Sequence, residues 1–137
     1  MFKKNKTFFI FIILLVSILI LLELYLQFGR FFMCKIYFDK CVKLAKEKNK
    51  KLMVIGDPCV GSGFICSRNI FYSHGDVTID LFGCNKCDKM DINNISNWKK
   101  YNSNEYVVFE TATLSFSKDI NRVLREIKRI SGGDFYS

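Results

Sequence analysis

The chain has 137 residues, half of them hydrophobic, and carries 21 Lys and Arg against 13 Asp and Glu, a formal net charge of +8. That length leaves room for one membrane segment and one compact domain of roughly 100 residues, and excludes a second independent fold. The apolar residues crowd the N-terminus, which points to a membrane class. The positive surplus suits an anionic lipid surface, and a nucleic-acid partner is disfavoured because no aromatic-basic interleaving accompanies it.

Residues 1–7 form a short basic tail with Lys3, Lys4 and Lys6. The apolar run then extends from Phe8 to Leu22, broken only by Ser17, and continues through Leu24, Tyr25 and Leu26. Residues 8–28 are therefore read as a transmembrane helix. Each Leu, Ile, Phe or Val favours insertion by about 0.3–0.6 kcal/mol, which together outweighs the cost of Glu23, at most about 3 kcal/mol and less near a helix end. No small-x-small site follows in Glu23-Leu24-Tyr25-Leu26-Gln27-Phe28, so the segment reads as an uncleaved single-pass anchor in the lipid bilayer rather than a signal peptide. Lys3, Lys4 and Lys6 on one flank balance Arg30, Lys35, Lys40 and Lys43 on the other, which leaves orientation open.

Residues 29–50 carry Phe31, Cys34, Phe38, Cys41, Val42 and Ala45 at helical spacing, with Lys35, Asp39, Lys43 and Lys46 elsewhere. This predicts an amphipathic juxtamembrane helix that covers the sheet of the following domain, the alternative being a helix lying on lipid. Residues 51–137 read as an α/β domain. Leu52-Met53-Val54-Ile55 is a buried strand ended by Gly56-Asp57-Pro58, and a short helix is expected over residues 62–71. Val77-Thr78-Ile79-Asp80-Leu81-Phe82 is a second strand, Asp91-Ile92 opens a very short third, Ile95–Lys100 is a helical turn, and Tyr106-Val107-Val108-Phe109 is a further strand. Residues 118–130 place Ile120, Val123, Leu124, Ile127 and Ile130 on one helix face, with Ser117 as N-cap and Gly132-Gly133 as the stop. Asp134-Phe135-Tyr136 opens a last strand. Strands alternating with helices predict a mainly parallel sheet with flanking helices.

The window from Val54 to Phe64 is a strand running into a Gly-x-Gly loop, where small residues let the backbone approach a nucleotide-like ligand. An acid about twenty residues further on can hold a ribose hydroxyl, and Asp80 is placed for that. Here the sequence resembles class I S-adenosylmethionine-dependent methyltransferases. Asp57-Pro58-Cys59-Val60-Gly61-Ser62-Gly63 matches their Asp-x-Gly-x-Gly-x-Gly motif except at Cys59, Asp80 falls on the ribose-binding acid, and Asp91-Ile92 falls on the pair beside the adenine. Val108-Phe109-Glu110 and the segment leading to Gly132-Gly133 look like the family's fourth strand, following helix and turn. The resemblance covers residues 52–136. It implies a truncated Rossmann-like domain that binds S-adenosyl-L-methionine through Gly56, Asp57, Gly61, Gly63, Asp80, Asp91, Ile92 and Glu110. The segment from Gly75 to Leu81 is also similar to small methyltransferase-like membrane proteins of large DNA viruses.

Methyl transfer from this cofactor depends mostly on positioning, so the absence of an evident catalytic base leaves activity open. Against it stand Cys59, the short loops, the absence of an Asn-Pro-Pro-Tyr-like motif after Phe109, and an end at Ser137 where the family continues with a fifth strand and two more. Two expectations remain: a membrane-anchored methyltransferase-like protein, cytoplasmic if active, or a non-enzymatic single-pass protein with a structural or interaction role.

Cys84-Asn85-Lys86-Cys87 is a C-x-x-C pair, half of a zinc site or a redox couple. Cys59, Cys66 and the sole histidine, His74, show no second paired spacing, so no metal site is predicted and the six cysteines are read as mostly reduced thiols. Cys34 and Cys41 read as packing residues and His74 as a turn residue, with general base the alternative.

Overall fold

The computed structural model describes residues 2–56, 72–84, 86–110 and 113–137, with side chains from residue 8 onward except at positions 27, 30 and 31. They divide into two units, one ending at Met33 and one spanning Cys34–Ser137. Helix α1, Phe2–Lys48, contributes to both.

In the first unit the stretch Phe8–Leu26 has a mean hydropathy of 3.0 and none of it is buried. At about 1.5 Å per residue it approaches the thickness of a bilayer's hydrocarbon core. By length and composition this helix can cross a membrane.

The second unit is a five-stranded parallel sheet with helices on both faces. Its strands are β1 (Lys51–Ile55), β2 (Val77–Asp80), β3 (Asp88–Lys89), β4 (Tyr106–Glu110) and β5 (Phe135–Tyr136), in the order β3-β2-β1-β4-β5. Every pairing is parallel, with Ile55 level with Ile79 on one side and Glu110 on the other. Side chains alternate between faces along each strand. Leu52, Val54, Val107 and Phe109 meet Phe38, Cys41 and Ala45 from the end of α1, while Met53, Ile55, Ile79 and Val108 meet Trp98 and Val123, Ile127 and Ile130 of α2 (Ile120–Ser131). Strands buried on both faces read as continuous apolar runs, which is why β1 and β4 are legible in sequence. Each fully buried side chain of this size stabilises the fold by about 1.5–3 kcal/mol.

The amphipathic helix thus covers the sheet, as expected for residues 29–50. Several boundaries differ from expectation. The third strand is Asp88–Lys89, and Asp91-Ile92 follows it as a turn, held by Asn93 N–H donating to Asp91 Oδ1 at 2.9 Å. The N-cap of α2 is Asp119, which accepts from Arg122 N–H at 3.0 Å, because a helix starting at Ile120 leaves Ser117 too early in the chain to reach its first N–H groups. Ile120 consequently lies in the first turn and is exposed, whereas Val123, Ile127 and Ile130 are buried. Gly132 ends the helix with φ +66°, the left-handed conformation that favours glycine. The last strand expected at Asp134-Phe135-Tyr136 forms as Phe135–Tyr136 and pairs with β4 through Val108 and Phe109. The helix expected over residues 62–71 lies outside the described residues.

Candidate functional site

Because all strands are parallel, their carboxyl ends share one edge of the sheet, and Gly56, Asp80 and Glu110 stand there at the ends of β1, β2 and β4. Asp91 and Ile92 come just after β3 on the same edge. The chain leaves β1 toward β2 on one side, while β4 lies on the other and leads to β5, so the sheet order reverses between β1 and β4. Side chains projecting above such a reversal border a crevice. Asp57, Gly61 and Gly63, the other positions expected to hold cofactor, lie outside the described residues.

The acids differ in environment. Asp80 is half-buried, and its Oδ1 accepts from Phe82 N–H at 2.8 Å, a local turn that fixes the carboxylate at the strand end. Asp91 is exposed, and its Oδ1 also takes Asn93 Nδ2 at 3.0 Å. Ile92 is buried and its carbonyl accepts from the indole N–H of Trp98 at 3.0 Å, so its role is to seat the core tryptophan. Glu110 is almost fully buried, and burial pushes its carboxyl above the usual value, against the pull of the Leu114 and Thr113 backbone N–H groups. Its Oε1 accepts from Leu114 N–H at 2.8 Å, and among the described residues no cation pairs with it. A buried carboxyl without a neighbouring cation is biased toward its neutral form.

Thr113 closes over the end of β1. Its hydroxyl donates to the Ile55 carbonyl at 3.2 Å, and a Cβ at Gly56, whose φ is +100°, would fall onto that hydroxyl. The strand that begins at Val77 stops at Asp80, leaving Leu81 and Phe82 outside the ladder, with Phe82 76% exposed. Sequence reading placed Phe82 inside a strand and missed it as an apolar surface beside Asp80; the Gly83 that follows, at φ +78°, is the signal for the earlier stop.

A second cluster lies elsewhere. Cys84 and Cys87 are joined by a disulfide, so the expectation of reduced thiols does not hold for them. His74 Nε2 lies 3.4 Å from Cys84 Sγ. Spacing gave no hint of this third residue, because His74 and Cys84 flank β2 and meet only through the fold. His74 also lines an open groove of about 680 Å³ with Phe38, Asp39, Lys46 and Asp76, toward the amino ends of the strands and away from Asp80 and Glu110. Cys41 is fully buried, its thiol pushed up to about 12 by that burial, which makes it an inert packing residue.

The chain matches no protein-family model, no curated protein and no solved structure.

Proposed function

We propose that the chain is a membrane-anchored, Rossmann-like protein that binds S-adenosyl-L-methionine at the carboxyl edge of its sheet. The observation that carries this reading is the order β3-β2-β1-β4-β5, the 3-2-1-4-5 arrangement of doubly wound nucleotide-binding sheets, with an acid at the end of β2. In that arrangement Asp80 accepts from the ribose hydroxyls, Phe82 supplies apolar surface for the adenine, and Asp91 borders the same side. The buried Glu110 fits a cofactor that carries a sulfonium and an ammonium, since either cation offsets the cost of a desolvated carboxylate. The cofactor's chemistry is an activated methyl group. The chain's part is to hold it. Residues 8–28 anchor the domain, and the chain's positive surplus suits an anionic lipid surface.

A second reading, a non-enzymatic interaction module, draws support from Thr113, whose hydroxyl occupies the space over Gly56 that a cofactor-binding turn leaves open. Equilibrium dialysis of the full chain in detergent micelles against labelled S-adenosylmethionine separates the two. Retention of about one cofactor per chain supports the first, and none retained at about millimolar cofactor leaves the second. A glycosylation reporter at the C-terminus adds the compartment, because the cofactor is cytosolic and a lumenal domain is incompatible with methyl transfer.

A further inference from the structure

The disulfide sits in an unusual connection. Parallel neighbours are ordinarily joined by a crossover of about a dozen residues or more, yet β2 and β3 are linked by residues 81–87 alone. Since Asp88 pairs level with Ile79, the link must turn back along β2, which brings Cys84 beside His74. β3 itself is two exposed residues and supplies no apolar side chain to hold the sheet edge. The cross-link does so instead: Cys84 and Cys87 form an antiparallel bridge, and Cys87 N–H donates to Cys84 O at 3.1 Å.

The geometry points to an alternative form of this cross-link, in which the reduced Cys84 and Cys87 thiolates and His74 Nε2 bind one Zn²⁺, leaving a fourth position to water or an exogenous ligand. One ligand atom from each residue already lies within 4.8 Å of the others, and all three residues are half-buried, shielded yet reachable. Tetrahedral zinc with ligand distances of about 2.0–2.3 Å sets neighbouring ligand atoms about 3.3–3.8 Å apart. The His74–Cys84 separation of 3.4 Å falls inside that range. Two thiolates and an imidazole select zinc over calcium or magnesium, which take oxygen ligands.

The two forms interconvert by balanced steps. A dithiol reductant gives two electrons and two protons to the Cys84–Cys87 bond and closes to its own disulfide, leaving two thiols. Zn²⁺ then displaces both thiol protons to solvent and takes the lone pair of neutral His74 Nε2. A reducing cytosol favours the zinc form and an oxidising compartment the disulfide, and either one staples the short link. None of the three residues belongs to the proposed cofactor edge, so the site stands or falls independently of it.

The test uses the full chain in detergent micelles, reduced with a dithiol, freed of it under argon and titrated with Co²⁺, then Zn²⁺. The expected result is about one Co²⁺ per chain, with thiolate-to-cobalt charge transfer and tetrahedral d–d bands that Zn²⁺ abolishes. The oxidised chain should show neither band. His74→Ala should weaken binding about tenfold or more, and Cys84→Ser with Cys87→Ser should remove it. Alkylation and peptide mapping of the unmutated chain give a readout that needs no variant: Zn²⁺ should protect Cys84 and Cys87. The proposal is overturned by absence of stoichiometric metal after reduction, by unchanged affinity in a folded His74→Ala chain, or by protection confined to other cysteines.

Discussion

Lys50 Nζ lies 2.7 Å from Asp134 Oδ2, both side chains nearly buried, and so ties the residue before β1 to the residue before β5. The same ammonium donates to the Ser131 carbonyl at 2.8 Å and to Asn104 Oδ1 at 2.6 Å, closing the C-terminal end of α2 onto the sheet. Asp134 receives Lys48 as well. Asp134→Ala leaves Lys50 without its anion, and the expected loss is about 2–3 kcal/mol in chemical unfolding of the domain. Burial alone raises the Asp134 carboxyl, but hydrogen bonds from Lys48 and Lys50 outweigh it and hold the group below its ordinary 3.8. The carboxylate therefore stabilises fully above that value, and the contribution is lost as pH falls through the lower folded value. Unfolding curves of the wild type and Asp134→Ala should converge below pH 3.8. A gap that stays constant as pH falls well below 3.8 contradicts the assignment.

Glu110 has the opposite sign. Burial raises its folded value above 4.5, so the folded state favours the protonated form and loses stability as pH rises from 4.5 through that value. Glu110→Gln keeps an acceptor for Leu114 N–H and removes the charge. At pH 7 the variant should unfold at a higher temperature than the wild type, and the difference should vanish below pH 4.5. A less stable variant at pH 7 would mean that Glu110 is held as a satisfied carboxylate.

Gly56 and Thr113 should be coupled. Gly56→Ala faces both a φ of +100° and the Thr113 hydroxyl, with an expected cost of about 1–3 kcal/mol. Adding Thr113→Ala should recover the steric part and leave the backbone part. A double-mutant cycle measures this, and strictly additive losses would show that the two positions do not touch.

Two isoleucines of α2, Ile127 and Ile120, should separate the buried face from the exposed one. Ile127 is fully buried and Ile120 is 45% exposed. Ile127→Ala should cost about 2–5 kcal/mol and Ile120→Ala no more than about 0.5. Equal losses in denaturant titrations would contradict the packing of α2 against β1 and β4.

Periodicity made most of this fold legible. The apolar runs of β1 and β4, the 3.6-residue spacing of Val123, Ile127 and Ile130, and the faced pattern of Phe38, Cys41 and Ala45 each follow from burial, and burial is what a sequence pattern records. What lacked an apolar signature was misplaced. Asp88 and Lys89 form a strand through backbone pairing alone, without an apolar side chain of their own to mark it. The N-cap shifted from Ser117 to Asp119 because both residue types cap well and only the helix start chooses between them. Asp80 and Glu110 were legible as strand ends because each follows an apolar run. The closure of Thr113 over Gly56 and the approach of His74 to Cys84 were not, since each depends on chain segments that meet only in three dimensions.

In the proposed cofactor site Asp80, at the end of β2, holds the ribose of a bound S-adenosylmethionine. Isothermal titration of the full chain in micelles, run beside Asp80→Ala, tests it most directly. Losing a hydrogen bond to a charged group costs about 1.5–3 kcal/mol, so the wild type should bind measurably and the variant about 10–100-fold more weakly. No heat of binding in the wild type, or equal affinity in a folded Asp80→Ala chain, would contradict it.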